Sequence, residues 1–195
     1  MNRKKECLGI VVLGAGSGKR FGGRKQFYEI DGEMMYLHMI KKLRLLPNTI
    51  KVMVTQFQEM KEQVKDFEIV MNEKPEDGIS SSIFLGLQAL LKKDKPLSGI
   101  LFAVCDQPYL SEQSIFKLVT EYQNSEKKIA CLCFKERMGN PVIFHPDYIQ
   151  ELLALSGDVG GKQILKKHKD EVLFVEVKEE KELFDIDRKQ DIQKR

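Results

Sequence analysis

A chain of 195 residues can bury a hydrophobic core as one domain, and its 42% hydrophobic and 31% charged residues are ordinary proportions for a soluble globular protein. The net charge of +3, spread over interspersed acidic and basic residues, gives no general case for nucleic-acid binding and is compatible with a small anionic substrate. Lys4 and Lys5 ahead of the apolar run 8–13 imitate a leader, but the run is short, Lys19 and Arg20 interrupt it, and no stretch could span a membrane, so a cytoplasmic protein is expected.

In chain order, residues 8–13 read as a buried strand, followed by a glycine-rich loop to Lys25 and helical patterning over 36–45. Residues 50–54 read as a strand, 58–65 as a further helical segment and 67–70 as a short strand. Pro75, Asp77 and Gly78 punctuate the loop before a helix over 79–91. A strand over 100–104 ends at Cys105-Asp106, and Ser111 with Glu112 and Ser114 opens a helix over 111–122. Strands at 129–134 and 142–144 precede helical segments at 146–153 and 161–168, and a strand at 172–177 follows. In the charged stretch 185–195, Ile186 and Ile192 are placed to dock a short final helix. This alternation predicts an α/β fold with a mostly parallel sheet and one domain over 1–195. Cys7, Cys105, Cys131 and Cys133 lack a zinc-spaced partner set and read as buried, reduced thiols, with Cys131 and Cys133 on one face of a strand.

The loop Leu13-Gly14-Ala15-Gly16-Ser17-Gly18-Lys19-Arg20-Phe21-Gly22-Gly23-Arg24-Lys25 follows a strand, where a parallel sheet opens its ligand crevice. Its glycines let the backbone approach a polyphosphate and aim N–H groups at it, and Arg20, Arg24 and Lys25 add positive charge. It is not a Walker A loop, since three residues separate Gly14 from Gly18 and Arg20 stands where Ser or Thr is required. A dinucleotide fingerprint fails as well: Lys19 or Phe21 occupies the position of its last glycine, and the strand ending at Thr55-Gln56 lacks the ribose-binding acid.

Leu13, Ala15, Gly16, Gly18, Arg20, Phe21, Gly22 and Lys25 fall on a pattern that resembles the MobA-like nucleotidyltransferases of the molybdenum cofactor, particularly the molybdopterin cytidylyltransferases; Gly14 stands where alanine is usual. Asn72 and Gly78-Ile79-Ser80-Ser81-Ser82 resemble the family's base-recognition loop, and Cys105-Asp106-Gln107-Pro108 its metal-binding turn. Gly139-Asn140-Pro141-Val142 and Gly157-Asp158-Val159-Gly160 resemble its acceptor-side segments, and Asp185-Ile186-Asp187 its closing motif, so the resemblance spans 8–192. Departures fall on the acceptor and metal side: Gly161-Lys162 replaces alanine–arginine, and Lys189 and Gln190 replace proline and glutamate. Lys162 keeps the charge without the planar fork. Lys25-Gln26-Phe27 is similar instead to the cytidylyltransferase of isoprenoid synthesis, a relative sharing the fold.

The resemblance implies a three-layer α/β/α, Rossmann-like nucleotidyltransferase fold, with residues 1–110 mainly binding nucleotide and 111–195 mainly the acceptor. It implies transfer of a nucleoside monophosphate, from CTP rather than GTP on the Leu-x-Ala-Gly form with ATP left open, to the phosphate of molybdopterin. Leu13, Gly14, Ala15, Gly16, Ser17, Gly18, Asn72, Gly78, Ser80 and Ser81 are the implied nucleotide contacts, Arg20, Lys25 and Asp106 the catalytic group, and Asn140 and Asp158 the acceptor contacts. Asp106, at the carboxyl end of a strand, and Asp187 are candidate ligands of Mg²⁺, which takes one or two carboxylates plus phosphate oxygens and water. The plainer alternatives are a helix cap for Asp106, surface charge for Arg20, Lys25 and Asp187, and a helix start for Ser80 and Ser81. Such a reaction needs positioning and charge neutralisation rather than a covalent nucleophile, and no serine or cysteine sits in a triad context. Competing readings are a sugar-phosphate or isoprenoid-pathway nucleotidyltransferase, and a non-catalytic maturation partner of a molybdenum enzyme, whose hydroxylase apoenzyme is a further expected partner. His38, His145 and His168 lie outside the motifs and read as packing or surface residues.

Overall fold

The computed structural model describes residues 6–193; Lys4 and Lys5 of the leader-like stretch, and Lys194 and Arg195 of the final segment, lie outside them. The frame is a seven-stranded sheet built from β1 (Cys7–Leu13), β4 (Thr49–Thr55), β5 (Glu68–Met71), β6 (Leu97–Val104), β7 (Ile129–Phe134), β8 (Arg137–Phe144) and β9 (Val172–Glu176). A two-stranded ribbon of β2 (Glu29–Ile30) and β3 (Glu33–Met34), absent from the sequence reading, lies apart from it. The strand order is β5-β4-β1-β6-β8-β7-β9, and only β8 runs antiparallel to its neighbours.

The central strands are apolar throughout because both faces are covered. On β1, Ile10 and Val12 pack against α1 (Met35–Arg44) and α3 (Glu112–Asn124), through Met39, Ile40, Ile115 and Leu118. Val11, on the opposite face, packs with Ile83 and Leu87 of α2 (Ile79–Leu91), Leu152 of α4 (Ile149–Leu153) and Ile164 of α5 (Lys162–Lys167). The result is three layers. Gly86 lets α2 lie close to the sheet, since a Cβ there would stand 2.3 Å from Val11 Cγ1.

Several expectations change. The strand at 142–144 extends back to Arg137, because Gly139-Asn140-Pro141 falls where the β7–β8 register shifts between Cys131 and Cys133, so Pro141 disturbs no regular ladder. The helices read at 58–65 and 146–153 shorten to a 3-10 turn at Gln58–Glu62 and to a turn at Pro146–Tyr148 leading into α4. Among the described residues of the final segment, 185–193, the expected helix is reduced to a 3-10 turn at Lys189–Gln193. Cys105, Cys131 and Cys133 are buried free thiols, whereas Cys7 is only half-buried. Among the described residues no helix is long and apolar enough to cross a membrane.

Candidate active site

β1 and β6 are adjacent parallel strands at the centre of the sheet. The chain leaves β1 towards β4 on one side while β6 lies on the other, so a crevice opens at their carboxyl ends. The glycine loop fills one wall of this crevice, a cleft of about 520 Å³. Its shape is set by carbonyls drawn out of the way. Gln26 Nε2 donates to Gly16 O at 2.5 Å and to Gly14 O at 3.4 Å, and Gln56 Nε2 donates to Ala15 O at 2.6 Å. Gly18 O accepts from the N–H groups of Phe21, Gly22 and Gly23. Gly18 has φ +65°, and a Cβ there would lie 2.1 Å from Gly23 O, so the turn closes only on glycine. The N–H groups of 15–18 donate to no protein acceptor among the described residues. A short run of free amides beside cations is the arrangement that receives phosphate oxygens.

The charges converge at the opposite lip. Lys25 Nζ donates to Asp106 Oδ2 at 2.7 Å, to Asp187 Oδ1 at 3.3 Å and to the carbonyl of Ile186 at 3.2 Å. Burial opposes the Lys25 charge, but Asp106 and Asp187 outweigh it and hold the ammonium above the usual lysine range. Arg20 Nη1 reaches Asp187 Oδ2 at 2.9 Å, although its side chain is 72% exposed, so this pair adds little stability. The main chain closes the same ring, with Ile186 N donating to Asp106 O at 2.8 Å. Behind it Gln107 Nε2 donates to Asp185 Oδ1 at 2.9 Å, and burial together with the charge of Asp106 raises the Asp185 carboxyl.

Leu13, Ala15, Gly16, Ser17, Gly18, Arg20, Lys25, Gly78, Asp106, Asp158 and Asp187 all line this one cleft. Gly14 lies beneath it, its N–H held by Val54 O at 2.8 Å. Asn72, Ser80 and Ser81 line a neighbouring hollow instead. Their polar atoms serve the start of α2: Asn72 Nδ2 donates to Ser81 Oγ and Ser82 Oγ, Ser81 Oγ to Gly78 O, and Ser80 Oγ to Gly157 O at 2.8 Å. Asn140 and Lys162 meet Asp158 in an adjoining pocket of about 260 Å³ with an apolar floor that includes Phe102 and Phe144. Arg24 turns away from the cleft, paired with Glu59 and stacked 4.2 Å from the Phe27 ring. Ser82 lines the cleft from the Gly78–Ser82 segment already singled out, whereas of the two shaping glutamines Gln26 had a signal only in the Lys-Gln-Phe similarity and Gln56 had none. The histidines stand apart: His38 Nε2 bonds the carbonyl of Ile30, and His168 Nε2 pairs with Glu151.

Residues 10–172 match the MobA-like NTP transferase domain. Over 155 residues the chain is 26% identical to a Pyrococcus horikoshii protein named "Probable molybdenum cofactor guanylyltransferase", covering 76% of this chain and 72% of that one. The fold superposes on a nucleotidyl transferase from Methanothermobacter with a TM-score of 0.76 at 20% identity, covering 96% of this chain and 94% of the other. It superposes on the 4-diphosphocytidyl-2C-methyl-D-erythritol synthase of Anaerococcus prevotii with a TM-score of 0.75 at 17% identity, covering 98% and 95%. With its glycine loop on a three-layer α/β/α nucleotidyltransferase fold and most of its length matched, the chain belongs to the MobA-like NTP transferase domain family.

Proposed function

We propose that this protein transfers a nucleoside monophosphate from a nucleoside triphosphate to the phosphate of a molybdopterin-type acceptor, releasing pyrophosphate. The observation that carries the reading is the Lys25 ammonium held between Asp106 and Asp187 at the mouth of the glycine loop. In the reaction an acceptor phosphate oxygen forms a bond to the α-phosphorus, and the bond to the β-phosphate bridge breaks with its electrons leaving on pyrophosphate. Amides 15–18 would cradle the triphosphate, while Arg20 and the persistently charged Lys25 offset the negative charge brought together by two anionic reactants. Asn140, Asp158 and Lys162 border the side from which the acceptor would enter. The Leu13-x-Ala15-Gly16 form argues for CTP and the name of the Pyrococcus relative for GTP.

The proposal includes a divalent cation such as Mg²⁺, held by Asp106 and Asp187. The donor set fits: two carboxylates already converge on a single positive centre, which is the protein share that Mg²⁺ takes alongside phosphate oxygens and water. When bound, it would neutralise phosphate charge and polarise the α-phosphate.

Pyrophosphate release is the test, with molybdopterin or molybdenum cofactor as acceptor and CTP, GTP and ATP compared for wild type and Asp106→Ala. Turnover with one nucleotide, reduced about 10²-fold or more in the variant, is expected. No turnover with an acceptor proven competent in a control enzyme would overturn it. Lys25-Gln26-Phe27 favours a second reading, cytidylyl transfer to a sugar-alcohol phosphate of isoprenoid synthesis. Replacing the acceptor in the same assay separates the two.

A further inference from the structure

After β9 the chain runs as a strap across the end of the sheet towards the cleft. Leu183, fully buried, packs onto Gly139, where a Cβ would stand 2.7 Å from Leu183 Cδ2. Ile186 is enclosed with Phe21, Ile30 and Met35. Immediately before the first of these anchors lies a buried carboxylate that the proposed chemistry does not use. Glu182 is 5% exposed, and its Oε2 accepts from Ser114 Oγ at 2.6 Å and Ser111 N at 3.0 Å, while Oε1 accepts from Lys178 N at 3.1 Å. Burial pushes this carboxyl up, but the bonds from Ser111 and Ser114 outweigh it and hold it below the usual glutamate range. It therefore sits ionised at the amino end of α3, where the helix favours negative charge.

A helix cap alone does not account for Glu182. Ser111 already caps α3 by accepting from Ser114 N at 3.1 Å, and Glu182 comes from a segment 71 positions away along the chain. What its bonds add is a tie between two stretches. Asp106 lies five positions before Ser111, and Asp187 five positions after Glu182. The two arms meet again where Ile186 N donates to Asp106 O and where both carboxylates reach Lys25. Latch, arms and clamp thus form a closed loop of short tethers. On the first arm Lys42 Nζ also donates to Pro108 O at 2.6 Å from below, fixing the turn after Asp106.

We propose that Glu182 is a positioning residue: by tying the strap to the start of α3 it sets the spacing of Asp106 and Asp187, and so their joint affinity for a divalent cation. This rests on the reading of those two carboxylates as the cation site. Groups that only orient ligating carboxylates commonly change metal affinity about 10- to 100-fold when removed.

The test measures Mn²⁺ binding by electron paramagnetic resonance on the full chain, without turnover, for wild type, Asp106→Ala, Glu182→Ala and Ser114→Ala, with thermal unfolding recorded alongside. Gly86→Ala, which strains the packing of α2 on β1 far from the strap, serves as a control for lost stability. Glu182→Ala is expected to weaken Mn²⁺ binding about tenfold, and Ser114→Ala, which removes the 2.6 Å bond without altering the strap, a few-fold, with Gly86→Ala at the wild-type affinity. Wild-type affinity in both Glu182→Ala and Ser114→Ala, with Asp106→Ala abolishing binding, would overturn the latch and leave the cation site standing. Equal weakening in Gly86→Ala would reduce Glu182 to a stability role and overturn it too. Should Glu182→Ala not fold, Ser114→Ala decides alone. No Mn²⁺ binding by wild type above the Asp106→Ala background would overturn the cation site and the latch together.

Discussion

Replacing Gly78 with alanine should damage the protein severely, because the added methyl meets both a forbidden backbone conformation and immovable main chain. Gly78 has φ 88° and ψ −178°, a backbone region that only glycine enters without strain, and forcing alanine into it costs about 1–3 kcal/mol. The new Cβ would also stand 2.4 Å from the carbonyl carbon and oxygen of Gly157 and 2.6 Å from Asp158 N. Those neighbours are main chain and cannot swing aside, so the loop carrying Asp158 must move. Moving it breaks the bonds from Ser80 Oγ (2.8 Å) and Ser80 N (3.3 Å) to Gly157 O, at about 1 kcal/mol each. The sum is about 3–5 kcal/mol. Urea unfolding of Gly78→Ala beside Ser80→Ala reads it directly: Ser80→Ala, which loses one side-chain bond and leaves the main chain in place, should cost about 1 kcal/mol. The Michaelis constant for the acceptor should rise in Gly78→Ala, since Asp158 borders the pocket with Asn140 and Lys162. A Gly78→Ala protein as stable as Ser80→Ala would refute the reasoning, because it would mean that the two main chains can part at no cost.

Three further outcomes are expected. Burial pulls the Lys42 ammonium down to about 8, although Glu112, Glu33 and Glu182 oppose it. The folded chain then holds fewer protons than the unfolded one between pH 8 and the ordinary lysine value of 10.5, so unfolding free energy should gain about 3 kcal/mol across that window relative to Lys42→Met. A constant gap between the two proteins over the window would count against a buried charge there. Of the four cysteines, only half-buried Cys7 should react with a thiol reagent in the native protein and all four after denaturation, since burial raises Cys105 and pushes Cys131 up to about 12; two or more fast native thiols would contradict the packing. Gly86→Ala should destabilise by about 1–3 kcal/mol through overpacking against Val11, seen as an earlier urea midpoint, and a neutral result would mean that α2 can ride outward freely.

The central strands were readable because burial on both faces demands continuous apolar runs, and the loop because glycines and cations cluster after one of them. Ser111 was readable as a helix start for a local reason, its hydroxyl accepting from Ser114 N. What escaped depended on distant partners. The reversed direction of β8 is a property of pairing, and the Gly139-Asn140-Pro141 stretch within it looks like a turn until β7 shifts register beside it. The helices expected at 58–65 and 146–153 shorten because an apolar period does not say how many turns the neighbours will support. In the site, Lys25, Asp106 and Asp187 stood in recognisable contexts, but the convergence of both carboxylates on the Lys25 ammonium was not legible. Asn72 and Ser81 sit in suggestive positions yet spend their polar groups on each other and on Gly78. Glu182, within Lys178-Glu179-Glu180-Lys181-Glu182, looks like solvated charge, and only the fold shows that it is sunk beneath α3.

The clamp around Lys25 has a consequence for the order in which the molecule is made. The nine strands of the described residues, the glycine loop and Asp106 precede residue 177, whereas Asp187 follows the strap. During synthesis, which adds about 5–20 residues per second and lets earlier parts fold first, the sheet can close and Lys25 can find Asp106 while the strap is still inside the ribosome. Until that segment emerges, Lys25 has half its counter-charge, Ile186 has not yet filled its place beside Phe21, and the lip of the cleft is open. Completion of the site therefore waits for the strap, and a growing chain presents the loop well before it presents a finished cleft.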